Sequence, residues 1–137
     1  MVLLIVDEIS FIGRTFFARM HFRLQQGKSR YFSETGQNPD NHTFGNISII
    51  LVGDFGQLEP IDDLSMVDKE TRPQDLRKDL RPRWKHMRFG RLLVEDFGEA
   101  FMLKRIHRSK DDMWWTDSCL RLRDFACTKE DYAAWKQ

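Results

Sequence analysis

Two adjacent carboxylates at the end of an apolar run are the first residues of the chain that could do chemistry. Leu3–Val6 is unbroken and rich in branched side chains, which is typical of a strand buried on both faces. Asp7 and Glu8 follow it directly. One carboxylate can hold Mg²⁺ through the water shell of the ion, and the other can polarise a water that attacks a phosphoryl group. Surface strands also end in acidic residues, so the pair alone leaves a plain surface turn open.

A second apolar run leads into a glycine-rich polar segment. Residues 47–52 read Ile-Ser-Ile-Ile-Leu-Val, and residues 53–60 read Gly-Asp-Phe-Gly-Gln-Leu-Glu-Pro. The glycines allow backbone conformations that other residues avoid, and Pro60 stops further ladder pairing. The amide of Gln57 can donate to a phosphate oxygen without any change of protonation. A glycine-rich turn is the simpler interpretation of this segment taken alone, but its combination with the acidic pair favours a nucleotide site.

Helix and strand patterns indicate how these side chains would be brought together. Residues 13–26 carry apolar side chains at helical spacing, and Gly27 is a typical helix stop. A strand, a helix and a second strand predict a right-handed crossover and a parallel sheet flanked by helices, which is the α/β class. Ligands of such sheets bind beyond the carboxyl ends of the strands. We therefore expect Asp7, Glu8 and Gln57 at one sheet edge.

Shorter patterns predict the remaining elements. We expect a surface loop over 28–43, an irregular segment over 61–73, a short helix over 73–80, a helical turn over 90–97, a third strand over 100–106 and a helix over 113–125. Thr128 is the predicted N-cap of a last helix, with Asp131 placed to complete a capping interaction.

Composition limits the class of protein. The chain has 137 residues, of which 41% are hydrophobic and 31% charged, which is typical of one globular domain with a core. No apolar run approaches the roughly 18 residues of a membrane helix, and no secretory leader is recognisable. Cys119 and Cys127 are too few for a disulfide framework, so we expect two reduced thiols in an intracellular protein.

A basic block extends over residues 72–91. It contains eight lysines and arginines against two aspartates, a net charge of +6, whereas the whole chain carries +1. Localised positive charge is typical of a surface that binds an anionic partner. Contacts to such a partner would come from Arg83, Trp84, Lys85 and Arg88. A solvated charged surface with Trp84 in the core explains the same pattern equally well.

The two polar motifs also carry a family resemblance. Leu-Ile-Val-Asp-Glu-Ile-Ser at residues 4–10, followed by the segment 53–60, resembles superfamily-1 DNA helicases of the petite-integration-frequency (PIF) branch, which also supplies the helicase part of Helitron-like transposons. The similarity extends to Phe44-Gly45-Asn46-Ile47, to residues 103–108 and to Leu122-Arg123-Asp124-Phe125. It therefore covers nearly the whole chain.

This resemblance implies a RecA-like P-loop NTPase fold and an enzyme that couples ATP hydrolysis to 5′-to-3′ unwinding of DNA. It implies Mg²⁺, ATP, single-stranded and duplex DNA as ligands, roles in DNA repair, recombination or telomere maintenance, and a nuclear or mitochondrial location in a eukaryote. Asp7 would bind Mg²⁺, Glu8 would act as catalytic base, and Gln57 would sense the γ-phosphate. Arg108 would stabilise charge in the transition state, although Arg105 lies close by and a structural salt bridge is the alternative.

The chain departs from the family pattern in two places. Glu59 stands where the family usually has a second proline. The sequence contains no Gly-x-x-x-x-Gly-Lys-[Ser/Thr] phosphate loop. In the family that loop precedes the Walker B strand, which corresponds here to the strand that ends in Asp7 and Glu8. We therefore expect residues 1–137 to be a fragment of the first RecA-like domain, inactive as an ATPase by itself. The alternative is a non-catalytic, transposon-derived remnant that binds nucleic acid or another partner.

Overall fold

In the computed structural model, which describes residues 2–69, 72–103 and 112–136, the two apolar runs pair as parallel strands. β1 (Leu3–Val6) lies beside β2 (Ser48–Leu51), with Leu3 opposite Ser48 and Val6 opposite Leu51. The predicted parallel pairing and the mixed helix and strand content are confirmed. The sheet has two strands in the described part of the chain.

Among the described residues, the core covers one face of this sheet. Alternate side chains, including Val6 and Leu51, pack against that core. The residues between them point the other way, and Leu3, Ile5 and Ile50 are 47%, 59% and 46% exposed. The prediction that β1 is buried on both faces is wrong for this structure, because the core packs against one face of the strand. Parallel sheets are normally covered on both faces, so a bare apolar face is unusual.

The connection between the strands contains two helices. α1 (Arg14–Gly27) matches the predicted helix to within one residue and ends at the predicted glycine. α2 (Ser29–Thr35) lies in the segment that was expected to be a loop. The loop prediction is wrong there because Phe32 is buried and Arg30 forms an ion pair with Glu34 one turn later, at 2.7 Å.

The core lies between the sheet, α1 and a helix from the basic block. That helix is α3 (Trp84–Glu95), so the helical turn expected over 90–97 is confirmed over residues 90–95, while the helix begins six residues earlier than expected. The predicted helix over 73–80 is reduced to a 3₁₀ turn, Pro73–Asp75. Gly90 lies against the backbone of Arg14 and leaves no room for a side chain. This close approach lets α3 pack along α1.

Contacts divide the chain into two compact units, Met1–Glu99 and Ala100–Gln137. The second contains α4 (Met113–Arg123), as predicted, and α5 (Lys129–Ala134). The third strand expected over 100–106 is wrong for residues 100–103, which do not form a strand, and residues 104–106 lie outside the described part. No helix among the described residues is long and apolar enough to cross a bilayer.

A capping box begins α5, which confirms the prediction for Thr128. Its backbone N–H donates to Asp131 Oδ2 at 2.9 Å, and the Asp131 N–H donates to Thr128 Oγ1 at 3.2 Å. Arg121 Nε donates to the same carboxylate at 2.8 Å. The hydrogen bonds from Arg121, and then from the Thr128 backbone, hold the pKa of Asp131 well below its usual range. One carboxylate therefore joins α4 to the start of α5.

We expect Asp131→Asn to loosen this connection in a pH-dependent way. Because the folded-state pKa of Asp131 is depressed, its stabilisation is complete above the unfolded value of about 3.9 and is lost as the pH falls through the folded value. Amide hydrogen exchange at Tyr132, whose N–H donates to Thr128 O, should be faster in the variant at neutral pH. The difference should shrink below about pH 4.

Asp124→Asn is the matched control, since Asp124 is an exposed partner of its neighbour Arg123. It should leave exchange at Tyr132 unchanged. Equal protection of Tyr132 in the parent and in Asp131→Asn at neutral pH would contradict the role given to Asp131.

Candidate functional site

Backbone hydrogen bonds tie the ends of the two strands together. The Val52 N–H donates to Val6 O at 2.8 Å, and the Ile9 N–H donates to Val52 O at 3.0 Å. Asp7 and Glu8 lie between these two bonds, and both are exposed. The acidic pair is therefore held at the carboxyl end of the sheet, where α/β proteins bind ligands.

Glu8 has a strained backbone. Its φ and ψ are 53° and 47°, the left-handed region, which costs a side-chain-bearing residue about 1 kcal/mol or more. The Glu8 N–H donates to Asp7 Oδ1 at 2.8 Å. Strain of this kind is held in place by the surrounding structure and is concentrated at functional sites. Here the cross-strand bonds on either side of the pair hold the turn.

A buried hydroxyl lies next to this turn. Ser10 is in the 3₁₀ turn Ile9–Phe11 and is 3% exposed. Its Oγ has no hydrogen-bond partner in the part of the chain that the structure describes. A buried polar group without a partner is costly, so this hydroxyl is an unusual feature of the turn.

The second motif forms a tight turn beyond β2. Gly53 has a φ of 148°, and a Cβ there would lie 2.7 Å from the Ile9 nitrogen, so the two strand ends approach closely only with glycine at this position. Asp54 Oδ1 accepts from the Gly56 N–H at 2.8 Å. The Gln57 N–H donates to Asp54 O at 3.1 Å, and its side chain is exposed. Gln57 therefore lies in the turn that begins directly after Val52, the last residue of this strand end that is hydrogen-bonded to Val6 and Ile9.

The structure brings the backbones of the two motifs together at Ile9, Val52 and Gly53. No hydrogen bond joins Gln57 to Asp7 or Glu8 within the described residues. Arg108, the fourth predicted site residue, lies outside the described part of the chain. The site that the structure describes is therefore three exposed polar side chains on a fixed backbone edge.

A buried arginine anchors the segment that follows this loop. Arg14, the first residue of α1, is 2% exposed, and its Nε donates to Ser65 O at 2.8 Å. Its Nη2 donates to Asp68 O, and Arg91 from α3 donates to the same carbonyl. Desolvation, and then the charge of Arg91, lowers the pKa of Arg14. Residues 63–69, expected to be irregular, are thus held by two helices.

Asp63 in the same segment caps α1. Its Oδ2 accepts from the Thr15 N–H at 2.9 Å, and its Oδ1 accepts from Thr15 Oγ1 at 3.0 Å. The helix has Gly13 at its own N-cap position, which offers no side chain, and the Asp63 carboxylate fills the space where a Cβ would be. Sequence reasoning missed this cap because the acceptor comes from a segment 48 residues later.

The predicted DNA contacts lie at the start of α3. Trp84 is half-buried and packs against an apolar cluster that includes Met87, and the guanidinium of Arg88 lies 5.7 Å from its ring centroid. Lys85 and Arg88 are exposed, and Arg83 is half-buried. Trp84 therefore contributes to the core, while Lys85 and Arg88 remain accessible.

Ion pairs neutralise part of the basic block. The following pairs are formed: Arg72 with Asp75, Arg77 with Asp62 and Asp79, and Arg91 with Glu95. The positive charge that remains available to an anionic partner is consequently smaller than the net charge of the segment indicates.

No complete metal cage is present in the described part of the chain. Groups of three or more histidine, cysteine, aspartate or glutamate side chains that could hold a metal ion are absent there. Mg²⁺ is commonly bound by one or two carboxylates together with substrate phosphates and water. Asp7 and Glu8 are compatible with that mode. Cys119 and Cys127 are exposed free thiols, as expected.

Comparison with known proteins found no relative: no protein-family model, no curated protein and no solved structure matches the chain. The function is therefore argued from the residues and the geometry described above.

We expect Asp63→Ala to lower the free energy of unfolding by about 1–2 kcal/mol, because α1 loses its capping acceptor. Chemical denaturation followed by circular dichroism measures this change. Asp75→Ala, which removes an exposed carboxylate paired with Arg72, is the control and should change the free energy of unfolding by about 0.5 kcal/mol or less. Equal losses in the two variants would contradict the capping role.

Proposed function

We propose that this chain is part of an ATP-dependent DNA helicase of the PIF type, and that its sheet edge supplies the Mg²⁺-binding and γ-phosphate-sensing residues. One observation carries the proposal. The acidic pair follows β1 and the Gln57 loop follows β2, so both begin at the same edge of the parallel sheet. The backbone of Glu8 is strained at this edge.

The side chains at this edge fit the roles that the chemistry requires. Asp7 is exposed and uses Oδ1 for the Glu8 N–H, so its second oxygen is available to Mg²⁺ or to a water of its shell. Glu8 is exposed and would accept a proton from the attacking water. Gln57 would donate to the γ-phosphate, and Arg108 would stabilise the transition-state charge. ATP would supply the remaining oxygen ligands of the metal.

The bare face of the sheet supports a larger parent domain. Leu3, Ile5 and Ile50 form an exposed apolar surface, and burying such side chains stabilises a fold by about 25 cal/mol per Å². In a RecA-like domain, helices cover both faces of the parallel sheet. A parent segment carrying the phosphate loop would cover this face.

DNA would contact the start of α3. Lys85 and Arg88 are exposed there and are suited to phosphate contacts. Arg91 of the same helix and Arg14 of α1 both donate to Asp68 O. These bonds join the segment 63–69, which follows the Gln57 loop in the chain, to both α1 and α3.

A second candidate is a non-catalytic module that binds nucleic acid or a protein. The absence of a phosphate-loop motif from this sequence favours it. Both candidates use the basic surface of α3. They differ in one prediction: a non-catalytic module hydrolyses no ATP, however long the expressed protein is.

The test measures ATP hydrolysis by two proteins, the 137-residue chain and a longer protein that contains a phosphate loop. The 137-residue chain by itself should release no phosphate in the presence of single-stranded DNA, because nothing in its sequence matches the loop that cradles the phosphates. In a longer product with a phosphate loop, Glu8→Gln should lower kcat at least about a hundredfold while ATP still binds. Gln57→Ala should retain hydrolysis and lose unwinding.

Glu59→Gln is the matched control, since it removes a carboxylate from the same exposed loop. It should leave both activities near those of the parent. Turnover by the 137-residue chain that Glu8→Gln abolishes would overturn the fragment proposal. Normal unwinding by both Glu8→Gln and Gln57→Ala in the longer product would overturn the residue assignments.

A further inference from the structure

A cleft of about 430 Å³ lies between α1, the C-terminal half of α3 and the segment 40–43. None of its lining residues belongs to the sheet edge described above. α1 contributes His21, Phe22 and Gln25, and α3 contributes Phe89 among others. The cleft therefore has a lining of its own, which the proposed nucleotide site does not use.

Two stacked aromatic rings form its apolar surface. The rings of Phe22 and Phe89 are stacked, with centroids 5.2 Å apart and planes inclined by 18°. Phe22 is 47% exposed, so part of its ring faces solvent. The face of an aromatic ring attracts cations, and its edge and the neighbouring aliphatic groups pack well against a methylene chain.

The charges around these rings are negative. Asp40 and Asp96 line the cleft, and neither forms an ion pair within the described residues. Asp96 is also the C-cap of α3, where the partial negative charge of the helix end adds to its own. Burial lowers the pKa of His21, whose Nδ1 accepts from the Phe44 N–H at 3.0 Å, so this imidazole is neutral at pH 7.

Hydrogen bonds fix the residues at the edge of the cleft in the absence of a ligand. Gln25 Nε2 donates to Pro39 O at 2.9 Å and to His42 O at 3.3 Å, which fixes the segment that carries Asp40. Thr43 Oγ1 donates to Asp96 Oδ2 at 3.4 Å. A rim that is already ordered loses less conformational entropy when a ligand binds.

We propose that this cleft binds an arginine or lysine side chain of a protein partner. The methylene stem would lie against Phe22, and the cation would be held by the carboxylates of Asp40 and Asp96. A nucleic acid strand fits less well, because the Asp40 and Asp96 carboxylates repel phosphates and the described residues that line the cleft include no lysine or arginine. The proposal does not depend on the ATPase assignment.

The test uses a short acetylated and amidated peptide, Gly-Gly-Arg-Leu-Arg-Gly-Gly, and the same peptide with citrulline, which is neutral and nearly isosteric with arginine. Titrated into the full chain, the arginine peptide should shift the amide resonances of Thr43 and Asp96. Asp40→Asn and Asp96→Asn should each raise its Kd about fivefold or more. Asp117→Asn, an equal change of net charge on α4, should leave the Kd unchanged.

Both cleft aspartates are exposed, and an unchanged amide spectrum at His21 and Phe44 shows that each variant is folded. Three results would overturn the proposal: equal binding of the citrulline peptide, no binding of the arginine peptide at millimolar concentration, or an unchanged Kd in both aspartate variants. Binding of a thymidine oligonucleotide that Phe22→Ala abolishes would assign the cleft to nucleic acid instead.

Discussion

The buried guanidinium of Arg14 is the interaction on which the rest of the larger unit depends. It is the first residue of α1, and it donates to backbone carbonyls of Ser65 and Asp68 that come more than fifty residues later in the chain. A buried carbonyl left without a donor costs about 1–3 kcal/mol, so this one side chain determines where residues 63–69 can lie. Asp63 from that segment in turn caps α1. Helix and segment therefore order each other.

This mutual anchoring explains the geometry of the sheet edge. The segment 63–69 continues the Gln57 loop, and α1 continues the turn after Glu8, so both polar motifs are tied to one buried network. Arg91 brings α3 into the same network through Asp68 O. The bare apolar face of the sheet is on the opposite side from these helices.

Local patterns predicted the parts of the fold that depend on local physics. The unbroken apolar runs identified β1 and β2, helical spacing identified α1 and α4, and the spacing of Thr128 and Asp131 identified the capping box. α2 was missed because its few apolar residues are anchored by one buried ring, Phe32. The first six residues of α3 were missed because the helical turn was expected to begin at residue 90, whereas Gly90 lies inside the helix and makes the close approach to α1.

The long-range parts were beyond such patterns. Nothing in the sequence around Arg14 or Asp63 shows that the two ends of the network meet, since their partners are set by the tertiary fold. The same holds for the cleft between α1 and α3, whose aspartates look like ordinary surface residues. The position of Asp7, Glu8 and Gln57 at one sheet edge was predictable, because parallel strands bring the residues that follow them to the same edge. The chemical roles of these side chains stay a prediction. The bare face of the sheet was not predicted, because an apolar run in the sequence looks the same whether one or both faces of the strand are covered.

The central claim is that this sheet edge is one half of a nucleotide site whose phosphate-binding half belongs to the same gene product. Sequencing of the full-length transcript tests it most directly. If the proposed function is correct, the open reading frame continues upstream of Met1 and encodes a Gly-x-x-x-x-Gly-Lys-[Ser/Thr] segment in frame. An in-frame stop codon directly before Met1 would contradict it.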